Sequence, residues 1–317
     1  MLRLLPDKPS LTVTAYIFNK FVHPTEDRYI TPREAACLQD FSDSYVFVGN
    51  LGQVQQQIGN AVPVRLAKAI AESVASFLES RGYRCEIPIA SYFSGAGGFD
   101  LGFESVTGNI KFVTKFTTDI DRACGATIQF NKPQWNFHLG DIRECSPELA
   151  LKTIGQRPIV TIGGPPCQTF SVAGKQKGTI DPLGKLYRDY LKHIQHLNPE
   201  IVVLENVYGL AQVKSSNALE EIYKAFAEIG YGVKHQTLLA ADYGTPQLRK
   251  RLIFVAVRGE NTFEFPLPQY VTEPDLFDRP LYRGAGNSFA HLPPPTFFDR
   301  DSDETIDIES VTLPTAI

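Results

Sequence analysis

The chain has 317 residues, of which 43% are apolar and 21% charged, and its formal net charge is −4. That much apolar material buries one large core or two modest ones and excludes disorder over long stretches. No run of about 18 consecutive apolar residues occurs, and Met1 to Pro9 carries early charges without a signal-peptide core, so a soluble, intracellular protein is expected.

In chain order, the first strongly patterned element is a helix beginning at Pro63. Its Leu66, Ile70, Val74, Phe77 and Leu78 fall on one face, the spacing that burial requires, and Gly82 ends it. Ile87 to Phe93 is apolar and β-branched and reads as a strand. It runs into Ser94-Gly95-Ala96-Gly97-Gly98 and then a helix start over Phe99 to Glu104. Strand, glycine-rich turn and helix form the arrangement of a nucleotide-type cofactor site. A second strand, Phe112 to Thr117, leads to Asp119-Ile120-Asp121, about two dozen residues beyond the glycines. An acid at that distance is placed to accept hydrogen bonds from ribose hydroxyls.

Further on, the strand Pro158 to Ile162 ends in Gly163-Gly164-Pro165-Pro166-Cys167. Two glycines and two prolines leave the turn little freedom, so the Cys167 thiol is held at the carboxyl edge of a sheet, where open α/β sheets do chemistry. An isolated cysteine is as readily a buried structural residue. Context favours chemistry, because Glu200 to Leu204 is another short strand and it ends in Glu205-Asn206-Val207. Two strands thus deliver a thiol and a carboxyl group, a nucleophile and acid pair. The five cysteines (Cys37, Cys85, Cys124, Cys145, Cys167) contain no CxxC pair and no histidines at metal spacing, so neither a disulfide framework nor a metal site is expected. Gln168 to Lys185, with Gly174, Gly178 and Gly184, reads as a closing loop. Helical spacing from Ala218 to Ile229 and apolar runs at His235 to Ala240 and Leu252 to Val257 complete an alternation that predicts an α/β fold, a mostly parallel, doubly wound sheet.

Four motifs now stand in order: Phe93 to Phe99, Gly164 to Gln168, Glu205-Asn206-Val207, and Gly244-Thr245-Pro246-Gln247-Leu248-Arg249-Lys250-Arg251. Together they resemble the cytosine-C5 DNA methyltransferases, and the resemblance covers nearly the whole chain. It implies a Rossmann-like S-adenosylmethionine-dependent methyltransferase fold in which Cys167 attacks C6 of a flipped-out cytosine, Glu205 holds and protonates the base, and Arg249 lies beside it. Phe93, Ser94, Gly95, Gly97, Gly98, Phe99, Asp119, Ile120, Asp141, Ile142, Pro165, Asn60 and Ala61 are then cofactor residues. Gln168, Ser171, Lys175, Asn206, Gln247 and Arg251 are DNA or base residues, with Gln247 and Arg251 left open between that role and bracing the scaffold. Asp119 is shorter than the Glu usual in the family, and Leu183 stands where Arg is common.

The blocks are also out of the family's order. Pro9 to Thr12, Arg28 to Ala36 and Gln57 to Pro63 resemble blocks that normally lie near the C-terminus, yet here they precede the cofactor loop. The resemblance therefore implies a circular permutation, with 1–82 a permuted part of the catalytic domain, 83–258 the catalytic and cofactor-binding core and 259–317 a tail. The family's target-recognition domain has no counterpart, so the expected partners are double-stranded DNA and a second polypeptide carrying that domain, unless the chain is truncated. A net charge of −4 is low for a DNA enzyme, but Lys175, Lys177, Lys185 and Arg188, and then Arg249, Lys250 and Arg251, cluster at the motifs. DNA modification in a bacterial restriction system is the expectation. An RNA (tRNA) cytosine methyltransferase and a non-catalytic DNA-binding subunit are the alternatives.

Overall fold

A computed structural model describes residues 1–15, 20–166, 182–212 and 218–295. Cys167, Gln168, Ser171 and Lys175 lie outside the described residues.

The amino-terminal segment forms three two-residue strands, β1 (Leu2–Arg3), β2 (Ser10–Leu11) and β3 (Phe21–Val22), and three helices, α1 (Pro32–Cys37), α2 (Leu51–Asn60) and α3 (Val64–Ser80). Local chemistry sets the first two helix starts. Thr31 and Glu34 make a capping box on α1, and Asn50 and Gln53 make one on α2. The core follows as β4 (Glu86–Tyr92), α4 (Gly98–Glu104), β5 (Lys111–Asp119), α5 (Arg122–Asn131), β6 (Asn136–Leu139), α6 (Pro147–Ile154), β7 (Val160–Gly163), α7 (Pro182–Leu197), β8 (Ile201–Val207), α8 (Gly209–Gln212), α9 (Ala218–Glu228), β9 (Tyr231–Leu239), β10 (Gln247–Leu248) and β11 (Lys250–Arg258).

Seven of these strands form one sheet in the order β6-β5-β4-β7-β8-β11-β9. All pairs are parallel except those of β11, which runs antiparallel to both β8 and β9. The expected α/β sheet is therefore present, with one reversed strand. Strand alternation sorts the core. Ile201, Val203, Ile253, Val255 and Val257 face α3 and α4, while Val202, Leu204, Leu252, Phe254 and Ala256 face α6, α7 and α9. The predicted stripe of Leu66, Ile70, Val74 and Leu78 is fully buried on the first face. Helices α3 and α4 approach so closely that a Cβ on Gly102 would sit 2.3 Å from the Cβ of Ala67. Among the described residues no helix is long and apolar enough to cross a membrane.

A third apolar cluster joins the amino-terminal segment (Val13, Ile30, Leu38, Ile58) to Ala285 and Phe289 of the tail. β2 pairs in parallel with β10, and the backbone N–H of Ala285 donates to the carbonyl of Lys8 at 2.8 Å. Both ends of the described chain are thus packed against the block that precedes β11.

Ile70 contributes to the largest apolar layer with no exposed surface. Ile70→Ala is expected to lower unfolding free energy by about 2–5 kcal/mol, the range for a truncated core aliphatic residue. Urea denaturation followed by circular dichroism checks this, with an unchanged m-value showing that the unfolded reference is the same.

Candidate active site

The first strand in sequence order within the main sheet, β4, lies inside it between β5 and β7, and the chain leaves it to opposite sides for these two. At such a reversal the loops beyond the carboxyl ends diverge and leave a crevice. Here it is a cavity of about 660 Å³, lined from β4 by Phe93, Ser94 and Gly95, from β5 by Asp119 and Ile120, and from β8 by Glu205 and Asn206. The amino-terminal segment closes one side with Gln56, Asn60 and Ala61. An apolar recess of about 300 Å³ adjoins it between Phe93, Ile142 and Leu186, with Asp141 and Arg143 at its rim.

Each wall has a backbone cause. The glycine-rich loop turns through left-handed residues, Phe93 at φ 53° and Gly97 at φ 77°. Phe93 packs its ring 5.9 Å from that of Tyr190 and lines both spaces. Gly98 abuts the amino-terminal segment, since a Cβ there would lie 2.5 Å from the carbonyl oxygen of Val62. Asp119 ends β5 with one carboxylate oxygen accepting from Gly95 N at 2.8 Å and the other from Asp121 N at 2.9 Å. Burial pushes its carboxyl above the ordinary range, and these two amides oppose that shift. Asp141 pairs with Arg143, which holds its carboxyl below the ordinary range.

At the other end, Asn206 Nδ2 donates to Pro165 O at 3.1 Å and its Oδ1 accepts from Val207 N at 2.8 Å, tying β8 to the segment that leads to Cys167. Glu205 is 9% exposed and forms an ion pair with Arg251, Nε to Oε1 at 2.5 Å, although the N–H is not aligned as a hydrogen bond. A carboxylate and a guanidinium thus meet at the cavity wall, adjacent to Gly163, Gly164 and Pro165.

Of the two arginines, Arg251 reaches the cavity and Arg249 is not where the resemblance placed it. Arg249 does not line the cavity. It is 1% exposed, and its guanidinium donates to Val13 O at 2.6 Å, Gly59 O at 2.8 Å and Ala61 O at 3.1 Å. Burial pushes its proton affinity down, Arg251 adds to that and Glu205 opposes it, yet an arginine keeps its charge in a protein. Gln247 is scaffold too, donating to Leu38 O at 3.0 Å and accepting from Val13 N at 2.7 Å. The physical reason is a break in the strand. Arg249 falls between β10 and β11, with its carbonyl accepting from Ala240 N at 2.9 Å, so residues two apart do not share one face. Gln56 and Arg143 were not anticipated, and no sequence pattern marks either.

The sequence matches the C-5 cytosine-specific DNA methylase family over residues 3–76 and 87–288. The chain belongs to that family. Among curated relatives of this family member, the type II methyltransferase M.AquIA of Picosynechococcus sp. is 35% identical over 229 residues, covering 67% of this chain and 91% of its own. M.FnuDI of Fusobacterium nucleatum is 37% identical, covering 57% of this chain and 50% of its own. M1.HphI of Haemophilus parahaemolyticus is 34% identical, covering 67% and 54%. The family member therefore spans about nine-tenths of the first relative and about half of the other two. Among solved structures, the S. pombe Dnmt2 methyltransferase aligns with a TM-score of 0.42 at 20% identity, covering 56% of this chain and 51% of that one.

The two arginines are separable by experiment. Arg249→Leu strands three buried carbonyls and is expected to cost about 3 kcal/mol or more of stability. Arg251→Ala is expected to cost less than about 1.5 kcal/mol, because Glu205 then faces an open cavity. Thermal unfolding of both variants beside wild type decides it, and equal losses would contradict this division of roles.

Proposed function

We propose that this chain transfers a methyl group from S-adenosylmethionine to C5 of a cytosine in DNA, as the modification enzyme of a type II restriction system. The single observation that carries the reading is one cavity with a half-buried carboxylate, Asp119, at one end and the Glu205–Arg251 pair at the other, beside the segment that leads to Cys167. The residues present fit the cofactor. An apolar recess flanked by Asp141 suits a purine, Asp119 suits ribose hydroxyls, and the glycine-rich loop leaves room for the amino-acid part. When bound, it supplies an electrophilic methyl group.

In this reading the chain's own residues make the base reactive. The Cys167 thiolate adds to C6, an addition unfavourable on its own because the ring is a poor electrophile. Glu205 supplies a proton at N3 and draws electron density out of the ring, so that C5 becomes nucleophilic. Arg251, held against Glu205, orients that carboxyl and stabilises charge on the bound ring. After transfer, loss of the C5 proton to a base restores the ring double bond and expels the Cys167 thiolate, and N3 returns its proton to Glu205. A cytosine in a duplex is stacked and must be extruded to reach such a pocket. The division into a permuted segment (1–82), a core (83–258) and a tail (259–317) belongs to the same proposal. Its support is the docking of β2 on β10 and the closure of the cavity by Asn60 and Ala61.

A second polypeptide completes the reading. Base edges in a groove are read by an interface on the order of 1,000–2,500 Å². Among the described residues, 259–295 folds back on the amino-terminal segment without forming a separate layer. We infer that sequence recognition is supplied in trans, on DNA in the cytoplasm.

Cys167→Ser is expected to abolish methyl transfer from labelled cofactor, because a serine hydroxyl is scarcely ionised where a thiol is. Substrate carrying 5-fluorocytosine is expected to trap the wild-type chain covalently, and transfer by the serine variant near the wild-type rate would overturn the nucleophile assignment. In the same assay the purified chain alone is expected to modify DNA poorly and without sequence preference. Robust site-specific transfer by the isolated chain would remove the need for a partner, and transfer to tRNA but not DNA would replace the substrate.

A further inference from the structure

Behind the glycine-rich loop lies a carboxyl group that the proposed reaction does not use. Asp100, in the first turn of α4, has no exposed surface. Ser91 Oγ donates to its Oδ2 at 3.1 Å and Thr114 Oγ1 lies at the limit of donation to its Oδ1, 3.5 Å. Ser94 Oγ lies 3.0 Å from Ser91 Oγ and 3.3 Å from the carbonyl oxygens of Ser91 and Thr118. Ser91 and Ser94 line the cavity, whereas Asp100 does not.

A hydroxyl has one proton to give. While Asp100 is ionised it is acceptor only, so the Ser91 proton is committed to it and the Ser91 oxygen is left free to accept from Ser94. Every group around Ser94 Oγ is then an acceptor, and its proton points into the protein. What Ser94 offers the cavity is its lone pairs. When Asp100 is protonated on Oδ2, the oxygen that faces Ser91, it becomes a donor there, the Ser91 hydroxyl turns to accept from it, and the Ser91 proton competes for the place into which Ser94 donated.

We propose that Asp100 is a positioning residue for the cofactor site: ionised, it sets the Ser91–Ser94 relay so that Ser94 accepts a hydrogen bond from an ammonium or N–H group of the ligand, and protonated, it releases that setting. The inference rests on the reading of the cavity as the site of an ammonium-bearing nucleoside cofactor. Burial pushes the Asp100 carboxyl up to about 7; the Ser91 hydrogen bond opposes this and the negative charge of Glu104, one turn along α4, adds to it. Glu104 is itself held by Trp135 Nε1 at 2.7 Å and Lys132 Nζ at 3.2 Å. From the amino-terminal segment the Tyr45 phenol faces Asp100, and it donates to Ala96 O at 2.7 Å. No histidine is among the residues lining the cavity. The sign follows. An acid that titrates near 7 is mostly neutral a unit below and mostly ionised a unit above, so ligand affinity rises with pH through that window and then levels.

Calorimetry of S-adenosylhomocysteine binding to the full chain, from about pH 6 to about pH 8.5, tests this directly. In wild type the dissociation constant is expected to fall roughly five- to tenfold across the window, about the net effect of one ordinary hydrogen bond. Asp100→Asn should remain at the weak end with a flat profile. Ser91→Ala, which cuts the relay without touching the carboxyl, should do the same and covers the case in which Asp100→Asn fails to fold. A wild-type profile retained in both variants overturns the proposal, as does a profile lost in Asp119→Asn but kept in Asp100→Asn. Absence of wild-type binding at every pH instead overturns the cofactor reading of the cavity, and the inference with it.

Discussion

The buried guanidinium of Arg249 is the interaction on which the rest of the site depends. Three backbone carbonyls, from Val13, Gly59 and Ala61, converge on one cation with no exposed nitrogen surface of consequence. Each such bond to a charged donor contributes about 1.5–3 kcal/mol, and together they offset a desolvation cost of several kcal/mol. Their geometric effect is larger than their net energy. They bring a segment from the other end of the chain against the block before β11, and so place Asn60 and Ala61 at the cavity wall.

With that segment in place, the cavity gains a charge pattern that no single element has. Glu205 at the end of β8 meets Arg251 from the antiparallel β11, whose residue lies opposite Val207 in register. Arg249 sits behind them, so two guanidinium groups stand near one carboxyl group. Asn206 makes the complementary connection, fastening the same strand end to Pro165 and so to the turn before Cys167.

The cofactor end follows a different logic. There the backbone does most of the work: left-handed turns at Phe93 and Gly97, and two amide donors that hold Asp119 rigid before any ligand arrives. Preorganised acceptors of this kind spare a ligand the ordering cost of flexible side chains. Asp100 extends this preorganisation one layer deeper, through two hydroxyls whose protons can be set either way.

Much of this was legible in the residues because the underlying rules are local. Four-residue apolar spacing marked the buried face of α3, and apolar runs ending in Asp119 and Glu205 marked strands that deliver acids to one edge. The glycine-rich turn announced a close backbone approach, since bulkier residues there would strike Val62 or Trp135. What the tertiary structure alone decided concerns direction and distance. Hydrophobic alternation carries no sign, so nothing local says that β11 runs against its neighbours. Gln247, Arg249 and Arg251 have the spacing of one strand face, yet a break between β10 and β11 sends the first two into the scaffold and only the third to Glu205. The docking of Ser10 beside Gln247, across 236 residues to Pro246, rests on the Ser10 N–H and hydroxyl donating to the Pro246 carbonyl, and neither donor carries any local sign of so distant a partner.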